Sequence, residues 1–284
     1  LFVAFFYQLG TPPLFDVDEG AFAEASREMW VSGDWVTPRL NGELRVDKPI
    51  LIYWVQATSI SLLGVNELAL RLPSALAASL WVLAVWGFVR PRWGAATALL
   101  AGALVASNLL VMTIGRAATA DALLNLWLTL AFFDAWRYLE NPRTAPLLRL
   151  YLWLGLGLLT KGPIAIVLPF LVLSLFCFTT GRWRDWLRGS FYWPGWLVLL
   201  AVAAPWYILI IQAQGDAFLA GFWFKHNVGR YTETLESHGG FWAYYLILLP
   251  FILLPHTALL PHTLWRLRAH WHDPLRRFLL LWFL

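Results

Sequence analysis

Charge is scarce in this chain: Asp, Glu, Lys and Arg make up 13% of its 284 residues, about half of what a water-soluble domain carries. That scarcity excludes a soluble enzyme. Cysteine is nearly missing as well. The one thiol, Cys177, lies inside an apolar run, which leaves no disulfide framework and no cysteine-built zinc site. The sequence holds no Walker loop, dinucleotide-binding glycine pattern, HExxH helix or GxSxG elbow, which argues against nucleotide-dependent chemistry. A net charge of +4 is too small and too dispersed for a nucleic-acid partner. No repeat and no low-complexity tract is visible.

What fills the space is apolar and aromatic. Hydrophobic residues reach 60%, and the 19 Trp, 19 Phe and 9 Tyr are the excess expected where many helix ends sit at headgroup depth. The bilayer and its lipids are therefore the solvent. A spanning helix needs about 20 mostly apolar residues, and Leu68–Val89, Gly94–Ile114, Thr119–Tyr138, Trp193–Gln212 and Phe241–His262 qualify. Leu147–Phe178 is interrupted by Thr160-Lys161-Gly162-Pro163 and reads as two short crossings. The apolar stretches at the two ends, Leu1–Leu9 and Phe278–Leu284, read as spans cut through, so the chain is expected to be a fragment truncated at both termini.

The segment Pro49–Gly64 is short, contains Gln56 and begins at a proline. If it lies on the membrane surface, the inner loops and their helix edges collect twelve arginines, no lysine and four acids, a net +8, and the outer side keeps −4. If it crosses, the arginine-rich segments face outward. An interfacial helix is the expectation. The outer side then holds a first loop (residues 10–67) with juxtamembrane amphipathic helices and a second long loop (213–240).

Every chemically unusual residue falls on that outer side. Asp16, Asp18 and Glu19 open an amphipathic stretch, where one acid would suffice to cap a helix. The excess carboxylates sit against a low-dielectric surface where charge without a partner is expensive. A turn-rich loop then delivers Lys48 to the start of the interfacial helix, where snorkelling is its simplest use. Arg116 and Asp121 flank a polar break between two spans, and Lys161 interrupts another. In the second loop an aromatic cluster leads into Lys225, His226, Arg230 and Tyr231. Aromatics beside cations suit a lipid that carries a phosphate. External acids and His226 allow a divalent cation, but no ligand spacing demands one. The available chemistry is deprotonation of an acceptor and stabilisation of a phosphate leaving group.

The order D-E-G-x-x-A-E-x-x-R-E-M (Asp18 to Met29), S-G-D-W-V-T-P-R-L-N-G (Ser32 to Gly42) and D-K-P (Asp47 to Pro49) resembles the first external loop of the ArnT-type branch of the GT-C glycosyltransferases, related to the protein O-mannosyltransferases of glycosyltransferase family 39. R-x-x-x-x-D (Arg116 to Asp121), T-K-G-P (Thr160 to Pro163) and H-N-x-x-R-Y (His226 to Tyr231) follow in the family's order. The resemblance implies an all-α polytopic membrane protein with a GT-C helix bundle over residues 1–284. It also implies transfer of a sugar from a polyprenyl-phosphate donor to a lipid or glycan acceptor outside the cytoplasmic membrane of a bacterium. By the same resemblance Asp18 matches the first-loop catalytic aspartate and Asp121 a second acidic position. Lys48 and Arg230 match cations that face the carrier phosphate, with Glu19, Lys225, His226, Tyr231, Arg116 and Lys161 around the substrates. Where that branch has Arg-Tyr, this chain has Ala21-Phe22.

The implied mechanism is an inverting displacement with Asp18 as general base. Three rivals stay open on the sequence: a protein O-mannosyltransferase-like enzyme, a transporter with charges along its path, and a structural subunit in which the charges are caps and anchors.

Overall fold

In a bilayer every backbone polar group must be satisfied within its own segment, so apolar sequence of this kind goes into helices. The computed structural model describes residues 1–222 and 244–283. A short helical turn, Phe2–Phe6, precedes α1 (Asp16–Ser32). A small hairpin follows, β1 (Arg39–Leu40) and β2 (Glu43–Leu44), antiparallel with Arg39 opposite Leu44 and Leu40 opposite Glu43. Then come α2 (Leu51–Leu63), α3 (Glu67–Ala106), α4 (Leu109–Arg116), α5 (Asp121–Glu140), α6 (Thr144–Lys161), α7 (Ile164–Thr179), α8 (Trp183–Ser190) and α9 (Trp193–Phe218). Beyond the gap lie α10 (Tyr244–Ile252), α11 (Leu260–Ala269) and α12 (Pro274–Phe283).

Two helical stretches, 67–106 and 193–222, are long and apolar enough to cross a membrane. Together α4 and α5 also pass that test, but they meet at 120°. The expected spans are redrawn in two places. Between the spans expected on either side of residues 90–93 the chain does turn: Gly94 (φ 84, ψ 171) leaves the helical region and divides α3 into two helices, and a Cβ at Gly102 would lie 3.4 Å from Val82, so the second helix runs back along the first. The helix begun there stops at Ala106, because the Asn108 side chain accepts the Val111 N–H (3.1 Å) and starts α4. The expected span Phe241–His262 is broken after Ile252 in a stretch that carries Pro250, Pro255 and Pro261. Elsewhere the helix begun at Trp193 breaks at Gly215 (φ 49), three residues past the expected end at Gln212, and α6 and α7 divide at Gly162, where the sequence predicts a break.

Apolar side chains point both ways, as membrane helices require. Leu80, Leu99, Leu171, Leu197 and Ile208 are exposed, far more apolar surface than a water-facing fold shows. Inside, Phe5, Phe22, Met29, Tyr53, Trp206 and Phe218 are buried together and join α1, α2 and α9. A second cluster, Phe88, Phe132, Phe133, Trp136, Phe176 and Phe278, ties α3, α5, α7 and α12, with Phe88 and Phe133 stacked at 3.9 Å. At that far end the buried Asp134 carboxylate accepts from Arg137 (2.9 Å), Arg149 (2.7 and 3.0 Å) and the Trp153 indole (2.9 Å).

Candidate active site

The start of α1 is fixed from inside. Glu19 is buried, and Arg71 of α3 meets its carboxylate with two parallel bonds, Nε to Oε1 (2.9 Å) and Nη2 to Oε2 (2.8 Å). The Phe15 N–H (2.7 Å) and the Ala118 N–H (2.6 Å) donate to the same carboxylate. Arg71 gives its remaining donors to the carbonyls of Leu9 (3.1 Å), Pro12 (2.7 Å) and Pro13 (2.9 Å). Burial pushes the Glu19 carboxyl up, but Arg71 and the two backbone N–H groups outweigh it and hold it below the ordinary carboxylate value. The bidentate fork explains why arginine serves here. A second buried node lies beside it. Gln56 of α2 accepts from the Ser26 hydroxyl (2.7 Å) and donates to the carbonyls of Leu70 (3.1 Å) and Ala118 (3.2 Å). The two nodes lock α1, α2, α3 and the 117–120 turn together.

What they frame is a cleft of about 720 Å³, lined by Asp18, Glu19, Arg71, Arg116, Asp121 and the apolar faces of Leu109 and Met112. Asp18, one residue before the anchored Glu19, is exposed, and among the described residues no donor is hydrogen-bonded to it. Asp121 begins α5, where the helix dipole favours an acid, and forms an ion pair with Lys161 at the last residue of α6. Arg116 closes α4 and donates to the carbonyls of Tyr7 (2.8 Å) and Ala4 (3.4 Å) while lining the cleft.

Lys48 belongs to a neighbouring cluster. Its Nζ lies 3.4 Å from Asp47 Oδ2. Arg45 donates to Asp47 (3.0 Å) and to the buried Tyr53 hydroxyl (2.8 Å), with its guanidinium 5.2 Å from the Phe22 ring centre. The Asp18 charge acts on Arg45, so this cluster and the cleft share one field. The loop that carries it is pinned by two indoles, Trp54 to the Trp35 carbonyl (2.7 Å) and Trp206 to the Val36 carbonyl (3.0 Å).

The structure therefore brings Asp18, Glu19, Arg116 and Asp121 to one cleft. Two of the expected substrate contacts are engaged within the protein. Glu19 spends both oxygens inside the protein, so it positions α1. Lys161 reaches Asp121 but does not line the cleft. Lys225, His226, Arg230 and Tyr231 lie outside the described residues. Among the described residues no three His, Cys, Asp or Glu side chains converge as a metal site. Sequence reasoning missed Arg71 and Arg45. The available signal was position, since both are arginines on the face where topology asks for none.

The profile of the dolichyl-phosphate-mannose-protein mannosyltransferase family matches residues 47–209, more than half of the chain. The chain belongs to this family. The matched region includes Lys48, Arg71, Arg116, Asp121 and Lys161; Asp18 and Glu19 precede it. Two curated relatives, from Shewanella sediminis and Aeromonas salmonicida, are named undecaprenyl phosphate-alpha-4-amino-4-deoxy-L-arabinose arabinosyl transferases. They are 33% and 35% identical over 96% and 99% of this chain, and over 50% and 52% of their own length. The crystal structure of ArnT from Cupriavidus metallidurans bound to undecaprenyl phosphate superposes with a TM-score of 0.90 at 27% identity, covering 99% of this chain and 52% of that one. The chain thus spans about half the length of the relatives it matches, and its fold is theirs over that half.

Proposed function

We propose that the protein is an inverting glycosyltransferase of the bacterial cytoplasmic membrane, acting at its outer face. It moves a sugar from an undecaprenyl-phosphate-type donor to a lipid or glycan acceptor, such as lipid A receiving aminoarabinose or a related sugar. The names of the relatives and the lipid in the superposed crystal structure support the donor class.

One observation carries the reading: two carboxylates share a cleft but differ in pairing. Asp121 is neutralised by Lys161, whereas Asp18 faces the cleft without a hydrogen-bonded donor. Asp18 is therefore the group able to accept a proton. In the reaction the acceptor hydroxyl attacks the anomeric carbon from the face opposite the phosphate and passes its proton to Asp18. The C–O bond to the polyprenyl phosphate breaks, and the phosphate leaves as a stable anion that needs no general acid. Lys48 and Arg230 stabilise its charge, and Asp121, held by Lys161, orients the acceptor.

The test supplies radiolabelled polyprenyl-phosphate sugars to membranes containing the full-length protein or its Asp18→Asn form. We expect label in a lipid or glycan fraction, and about a 10²–10⁴-fold slower transfer for the variant at unchanged folded yield. Equal labelling by both forms would remove Asp18 as the base. The family's description favours a second acceptor class, protein hydroxyls, and label in the protein fraction would select it.

A further inference from the structure

The turn between α4 and α5 is tied to three other helices. Its Ala118 N–H donates to Glu19 (2.6 Å), and the Ala118 carbonyl accepts from Gln56 (3.2 Å). The Thr119 carbonyl accepts from the Ser74 hydroxyl (3.1 Å), and the Thr119 N–H donates to the Ala117 carbonyl (2.9 Å). Side chains of α1, α2 and α3 thus fix the backbone on which Thr119 stands, two residues before Asp121. The side chain of Thr119 takes no part in this bonding. Its hydroxyl is buried and forms no hydrogen bond among the described residues, and the residue lines the cleft beside Asp18 and Asp121.

Other threonines of the chain behave differently. Thr58, Thr113 and Thr160 donate to the carbonyl four residues back, at 2.7, 2.9 and 2.7 Å, the ordinary use of a threonine hydroxyl inside a helix. Thr119 lies in the turn before α5, outside that arrangement. A buried hydroxyl without a partner works against folding, so its presence in a fixed turn calls for a partner from outside the fold. Ser59 is the other buried hydroxyl without a hydrogen bond among the described residues, and it does not line the cleft. A step between staggered χ1 wells exchanges hydroxyl and methyl on the threonine Cβ, which lets Thr119 turn its hydroxyl to a group held in the cleft.

We propose that Thr119 is a sugar-binding residue that helps select the donor: its hydroxyl pairs with one ring hydroxyl of the sugar being transferred. The inference rests on the transferase reading above and deepens it. With the donor phosphate at Lys48, the sugar is the part of the donor that reaches Asp18 and the cleft. The cleft walls suit a sugar, since Leu109, Met112 and Ile114 offer an apolar surface to its C–H face while Asp18, Thr119 and Asp121 offer polar groups to its hydroxyl edge. A threonine hydroxyl both donates and accepts, as a sugar hydroxyl does, and adds no charge next to the base.

The test compares the full-length protein with its Thr119→Val and Thr119→Ser forms, using undecaprenyl-phosphate-linked 4-amino-4-deoxy-arabinose, mannose and glucose and the monodeoxy forms of whichever is transferred. Valine keeps the shape of threonine and removes only a hydroxyl that bonds to nothing in the fold, so the unfolding midpoint of Thr119→Val should be unchanged or higher. Its kcat/KM with the intact donor should fall about tenfold, the worth of one hydrogen bond, and Thr119→Ser should keep most of the activity. One monodeoxy donor should be about tenfold poorer for the unmodified protein and no poorer than the intact donor for Thr119→Val, because the two deletions remove the same contact. Equal kcat/KM for the unmodified and valine forms, the same deoxy penalties in both, or a valine form that loses activity together with its unfolding midpoint overturns the inference and leaves the transferase reading standing. A folded, unmodified protein that transfers from none of these donors removes that reading and this inference with it.

Discussion

Arg71 shows how one side chain far along the chain sets the position of the reacting one. It saturates Glu19, and Glu19 directly follows Asp18, so the depth at which Asp18 meets the cleft is decided on α3. Removing the guanidinium while keeping the acid leaves a buried charge without compensation, which costs about 3–5 kcal/mol. Arg71→Met should therefore lower the unfolding midpoint strongly, and Arg71→Met/Glu19→Gln should recover part of that loss; an unchanged midpoint in the single variant would remove the clamp. The same pair sets an acid limit. The folded Glu19 carboxyl is held below its ordinary value of 4.5, so its contribution is complete above about 4.5 and is lost as pH falls through the lowered value. Unfolding midpoints measured downward from pH 6 should fall for the unmodified protein and change less for Glu19→Gln. The acidic run around Asp18 was legible in the sequence. Arg71 was not, because an arginine in an apolar run reads as an anchor and its partner is 52 residues away.

Between elements, the breaks carry as much information as the helices. Gly162 ends α6 with φ 77 and ψ −152, a backbone region that in practice only glycine enters. It stops the helix at Lys161, the residue that reaches Asp121. Gly162→Ala should cost about 1–3 kcal/mol and slow transfer more than Gly20→Ala, since a Cβ at Gly20 meets nothing within 4 Å. Equal effects on rate would separate the Gly162 backbone from the Asp121–Lys161 pair. In the first loop Asn41 and Gly42 both take positive φ (54 and 82), the turn that a tight hairpin needs. The Gly42 N–H donates to Glu28 (3.1 Å), which returns the hairpin to α1. The turn-rich character of this loop and the break at 160–163 could be read from residue types. The early end of α3 could not, because hydropathy counts apolar residues and is blind to a cap at Asn108.

Over the whole molecule, charge and helix direction point the same way. One end carries the carboxylates of the cleft, α5 leads away from it, and the other end carries Asp134 with its arginines and the basic face of α8. A net +8 on one face against −4 on the other fixes orientation only if α2 stays on one side. In the structure α2 gives one face to the protein, where Ile52, Tyr53, Gln56, Ala57, Ser59 and Ile60 are buried. At 13 residues it is also too short to span the hydrocarbon core, about 30 Å thick, at 1.5 Å per residue. Cysteine labelling tests this directly, because Cys177 is buried and contributes little background. Asn41→Cys and His272→Cys both replace exposed residues. In intact cells a membrane-impermeant maleimide should label Asn41→Cys at once and His272→Cys only after permeabilisation. The opposite pattern would turn the arginine-rich face outward and place Asp18 where a donor presented at the outer surface cannot reach it. The orientation measurement thus bears on the chemistry as well as on the topology.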